Sequence, residues 1–106
     1  MMELNLINPE HKKNGKMLHN DSHKFESRFL GVTVPTNRSV MLGSLSGSKL
    51  GIWVAHGEGK FSLPYDEDKY NVVLKYSYDE YPSNPNGSDY SIAGLASADG
   101  RHLAMM

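Results

Sequence analysis

The chain has 106 residues, enough for one modest domain, and a net charge of −1 that gives no electrostatic case for a nucleic-acid or membrane-surface partner. It has no cysteine, which excludes a disulfide framework and thiol chemistry within these residues. It has no apolar run of transmembrane length, and its start lacks the basic-then-apolar pattern of a secretory signal.

In chain order, residues 1–7 suit a short helix or a strand, and Asn8-Pro9 stops either one. Residues 11–16 form a polar, basic loop. A strand is expected over about residues 25–34, with Arg28, Leu30, Val32 and Val34 on a largely apolar face and Pro35 at its end. Val40, Met41 and Leu42 make a short apolar run, followed by the small, turn-like residues 43–48.

Residues 51–59 carry the strongest buried-strand signal. Ile52, Trp53, Val54 and Ala55 are apolar on both strand faces, as expected of a strand covered on both sides. The strand runs into His56 and Glu58, which an extended chain directs to one face. Gly57 and Gly59 remove bulk on either side, so another molecule can approach the backbone. His56 and Glu58 fit a hydrogen-bonded pair capping the strand end as well as they fit a ligand contact.

Downstream, residues 60–63 alternate and Pro64 closes them, and residues 66–69 are a solvated loop. Residues 72–78 are good strand formers. Residues 81–88 are dense in turn residues. Two strand-like runs, 92–97 and 101–106, flank Ala98-Asp99-Gly100, a strong hairpin signal. The chain opens on Met1-Met2-Glu3-Leu4 without a polar lead-in and closes inside an apolar run, as expected of a piece excised from something larger.

Several catalytic or metal patterns fail on inspection. His19 and His23 sit four apart, but Asn20, Asp21 and Ser22 disfavour the helix that a metal pair at this spacing needs. Ser46 and Lys49 match S-x-x-K in a glycine- and serine-rich turn rather than a helix. Residues 57–60 miss the phosphate loop because Val54 and Phe61 replace its glycine and its Ser or Thr. A small β-rich module binding a metal or ligand through His19, His23, His56 and Glu58 stays open as an alternative.

Four segments nevertheless resemble one family, in order and with compatible spacing. Asn20, Ser22, Phe25, Glu26 and Arg28 fit its Asn-x-Ser and Phe-Glu-x-Arg segment, and Ala55-His56-Gly57-Glu58-Gly59 fits its strand end. Residues 81–88 fit its Tyr-Pro-x-Asn-Pro-Asn-Gly-Ser loop, and residues 92–106 fit a hairpin leading toward Pro-His-Pro-Glu. The chain resembles the glutaminase domain of phosphoribosylformylglycinamidine synthases, whereas residues 66–75 match only loosely.

The resemblance implies an α/β parent fold of the class I glutamine amidotransferase type. This piece would be mostly β, a mixed or antiparallel sheet with a short N-terminal helix at residues 1–7. Residues 1–106 would be a partial glutaminase domain lying between the catalytic Cys elbow and the His–Glu motif. Glutamine would supply ammonia to convert formylglycinamide ribonucleotide to formylglycinamidine ribonucleotide in cytoplasmic purine biosynthesis. The partners implied are glutamine and the synthase domain of the same parent, where ATP and Mg2+ are expected. The chain itself would hold no cofactor and no catalytic residue, and would be inert alone because thiolate attack needs both Cys and its activating His. Gly57, Glu58, His56 and Gly59 are the expected substrate-binding residues, with the backbone of Gly57 and Glu58 the main contact. The strands missing from such a piece would leave apolar surface and edges that favour self-association.

Overall fold

The structure, a computed structural model, describes residue 2 and residues 4–106. Seven strands follow in chain order: β1 (Lys16–Leu18), β2 (Glu26–Thr33), β3 (Lys49–His56), β4 (Lys60–Ser62), β5 (Asn71–Tyr76), β6 (Ile92–Ala96) and β7 (Leu103–Met105). Five of them form one sheet in the order β3-β2-β5-β6-β7, and β1 pairs with β4 as a small second ribbon. Every pairing is antiparallel.

The longest ladder joins β2 to β3 over eight residue pairs, from Glu26 opposite His56 to Thr33 opposite Lys49. The β6–β7 hairpin forms around the Asp99-Gly100 signal. Gly100 takes φ 76, and an added Cβ would lie 1.9 Å from the Arg38 carbonyl oxygen, so only glycine fits there. Asp99 closes the turn by accepting from Ser97 Oγ at 2.5 Å and from the Arg101 N–H at 3.1 Å.

The core lies on both sides of β5 and β6. Val73 and Ala93 pack with Val32, Val34, Val54 and Tyr76 on one side. Val72, Ile92 and Leu95 pack with Ile7, Phe61 and Tyr70 on the other. Every residue of β6 is buried, so the doubly covered strand is this one.

Two expectations are corrected. The described residues among 1–7 form turns, with Asn5 at φ 58, and no α-helix occurs among the described residues. So short a run ahead of Asn8-Pro9 cannot offset the cost of starting a helix, and Ile7 is buried as an anchor instead. The apolar strand at residues 51–56 is also not covered on both sides. β3 is the outermost strand of its sheet, and Trp53 is 73% exposed while Val54 is 1% exposed. One face of β3 packs on the core. The other presents Trp53 beside Phe29, their ring centroids 5.3 Å apart.

Candidate functional site

The strand end at His56 leads into a four-residue turn, 56–59, that distant segments tie down. Asn20, itself 1% exposed, makes most of these ties. Its Nδ2 donates to the His56 carbonyl at 2.7 Å and to the Lys24 carbonyl at 3.0 Å. Its Oδ1 accepts from the Gly59 N–H at 3.1 Å, and its own backbone N–H donates to the Gly57 carbonyl at 2.9 Å. From the opposite direction, Asn86 Nδ2 donates to the Gly59 carbonyl at 2.6 Å. Ser88 Oγ donates to that same carbonyl at 3.3 Å and accepts from the Phe61 N–H at 2.9 Å. The Asp21 N–H donates to the Asn86 carbonyl at 3.1 Å, joining the two clamps.

Residues 20–24, 56–61 and 84–88 therefore form one polar knot. The sequence marks all three as turn-forming, since Asn and Ser readily bond nearby backbone. It does not say that Asn20, Asn86 and Ser88 bond one another's segments. The Asx pattern of residues 84–88 is the signal that was available, and it points to a local turn only.

His56 and Glu58 do not share an environment. The His56 ring is buried, and neither of its nitrogens has a hydrogen-bond partner among the described residues. The ring lies over Gly59, where an added Cβ would come within 2.7 Å of His56 Nδ1. Gly59 thus makes room for the imidazole. Gly57, by contrast, is open, with Phe25 Cδ2 at 3.8 Å the one atom an added Cβ would meet. Glu58 is exposed, its Oε1 3.8 Å from Nδ1 of the exposed His19. The extended geometry that would direct His56 and Glu58 to one face ends at His56, the last residue of β3.

Behind the turn lies a charged pair. Glu26, directly across the ladder from His56, is 1% exposed, and its Oε2 is 2.7 Å from Arg28 Nη2. Arg28 also donates to the Tyr81 hydroxyl at 3.0 Å and sits 5.1 Å from that ring's centre. Burial pushes the Glu26 carboxyl up, but the Ser22 and Tyr81 hydroxyls and the charges of Arg28 and Lys24 together hold it below its ordinary range. Burial holds the His56 imidazole below its ordinary value, against the attraction of the Glu26 carboxylate. The Glu26–Arg28 pair sits across the ladder from the strand end.

The exposed part of the turn borders an open depression of about 500 Å3 lined by His19, His23, Lys24, Phe25, Gly57 and Glu58. Of the four expected substrate-binding residues, Gly57 and Glu58 reach this depression, while His56 and Gly59 face inward. Of the four residues of the metal-binding alternative, His19, His23 and Glu58 border this depression while His56 faces inward, and no group of three His, Cys, Asp or Glu among the described residues is placed to hold a metal ion. A separate concavity of about 920 Å3, lined mainly by residues 14–18 and 103–106, shares no residue with the turn. No helix among the described residues is long and apolar enough to cross a membrane.

Residues 1–106 match a family model described as a CobB/CobQ-like glutamine amidotransferase domain. The chain belongs to that family. Among relatives of this amidotransferase segment, phosphoribosylformylglycinamidine synthase of Drosophila melanogaster is 48% identical over an alignment covering 85% of this chain and 8% of that protein. The human protein of the same name is 41% identical, covering 83% of this chain and 8% of its own length. A probable chloroplastic or mitochondrial phosphoribosylformylglycinamidine synthase of Arabidopsis thaliana is 43% identical, covering 86% and 7%. The solved structure of PurLQS from Thermotoga maritima superposes with a TM-score of 0.71 at 33% identity, covering 87% of this chain and 40% of that one. The chain thus spans less than a tenth of the length of these curated relatives.

Proposed function

We propose that this chain is part of the glutaminase of a phosphoribosylformylglycinamidine synthase and forms one wall of its glutamine site. In that enzyme the side-chain amide of glutamine is hydrolysed to glutamate and ammonia. The ammonia then replaces the amide oxygen of formylglycinamide ribonucleotide at the synthase site, a step of purine biosynthesis driven by ATP with Mg2+. Residues 1–106 lie between the nucleophilic Cys and the His–Glu pair, both supplied from outside this chain. The chain has no cysteine and therefore no thiolate to attack an amide. Family membership over residues 1–106 and the 41–48% identity to three such synthases support the reading.

The observation that carries it to particular residues is the turn at Gly57 and Glu58. Its backbone faces an open depression while asparagines on both sides hold it still. A backbone held in this way binds a small polar ligand without first losing conformational freedom. Purified alone, the chain is expected to hydrolyse no glutamine, and hydrolysis above background would overturn its assignment as an inert part. In the intact enzyme, Gly57→Val fills the open side of the turn, and steady-state kinetics should show the KM for glutamine rising at least about ten-fold. Isolated, the chain should also self-associate through the unpaired edge of β3 and the exposed Phe29 and Trp53. A monodisperse monomer in light scattering would overturn that expectation.

A further inference from the structure

We infer that Asn20 is the positioning residue of this site: it aims the peptide groups of Glu58 out of the turn toward the ligand. The inference rests on the glutamine-wall reading and adds a residue that touches no substrate.

In a trans peptide the C=O and N–H point in opposite directions. The Gly57 carbonyl is held by the Asn20 backbone N–H at 2.9 Å, so the N–H of the same peptide, which belongs to Glu58, points away from Asn20. The Gly59 N–H is held by Asn20 Oδ1 at 3.1 Å, so the Glu58 carbonyl also points away. Asn20 Nδ2 fixes the start of the turn through the His56 carbonyl at 2.7 Å. One asparagine thereby sets the orientation of the peptides on both sides of Glu58, whose own N–H and C=O take no part in the knot. The turn offers outward one donor and one acceptor, the complement of a carboxylate and an ammonium on one α-amino acid.

Asn71 provides an internal control. It too is a buried asparagine that bridges backbone segments, accepting from the Arg38 N–H at 3.1 Å and donating to the Ser97 carbonyl at 3.0 Å. Its bonds lie at the β5–β6 end of the sheet and reach no residue of the turn.

The test compares Asn20→Ala with Asn71→Ala in the intact amidotransferase, reading glutaminase KM, kcat and the thermal midpoint. Both variants should lower the midpoint. Asn20→Ala removes the side-chain bonds to the His56 and Lys24 carbonyls and to the Gly59 N–H but keeps the backbone bond to the Gly57 carbonyl. It frees the Glu58 carbonyl to turn and should raise the KM for glutamine about ten-fold, while Asn71→Ala shifts it less than about two-fold. Should Asn20→Ala fail to fold, Asn20→Asp keeps the acceptor for the Gly59 N–H, loses the donor to His56, and should show a smaller rise in KM. If the Asn20 and Asn71 variants change KM alike, Asn20 is structural and the inference fails. If Gly57→Val leaves KM unchanged, the glutamine-wall reading itself fails and takes this inference with it.

Discussion

β3 and β6 each carry a continuous apolar run, and they end in opposite situations. β6 is buried at every position because β5 and β7 flank it and side chains cover both its faces. β3 has β2 on one side only, and Trp53 and Leu50 are exposed. Hydrophobicity reports that a strand can be buried, and its neighbours decide whether it is. The same contrast separates the two kinds of polar residue at the end of β3. His56 turns in against the sheet, while Glu58, two residues later, stands in solvent.

Substitutions sharpen this comparison. Leu95→Ala in β6 should cost about 3–4 kcal/mol in urea denaturation, from lost apolar transfer and the cavity left behind. Trp53→Ala in β3 should cost under about 1 kcal/mol, the worth of an exposed aromatic pair. Equal losses at the two sites would mean that the face of β3 carrying Trp53 is covered in the folded chain.

The charged residues should divide in the same way. Arg28→Ala leaves the Glu26 carboxylate buried without its cation and should cost about 3 kcal/mol. Lys75→Ala removes the partner, 3.0 Å away, of Glu67, a carboxylate far more exposed than Glu26, and should cost under about 0.5 kcal/mol. A small loss for Arg28→Ala would show that Glu26 is hydrated in solution.

The smallest expected effect is on pH dependence. The folded-state pKa of His56 is depressed by burial, so below pH 6.5 the unfolded chain takes up this proton more readily than the folded one. Its favourable contribution is whole above pH 6.5 and declines as pH falls toward the depressed value. Glu26 is also depressed, and its contribution is lost below pH 4.5. His56→Phe should therefore flatten the decline that begins near pH 6.5 and leave the one below pH 4.5. An unchanged profile in the variant would place the titration elsewhere.

The sequence by itself determined most of the local structure. Alternation and β-branched residues located β2, β5 and the β6–β7 hairpin to within a residue or two, because strand propensity and turn chemistry act between near neighbours. The four motif segments carried the family resemblance for the same reason, each being a short run of defined spacing. Only the tertiary structure decided that β3 lies at an edge, that the His56 ring fills the space over Gly59, and that Asn20 and Asn86 clamp the turn between them. Those hydrogen bonds close separations of 36 and 39 residues for Asn20 and 27 for Asn86. A buried asparagine needs partners. Which backbone supplies them is fixed only when three distant segments fold onto one another.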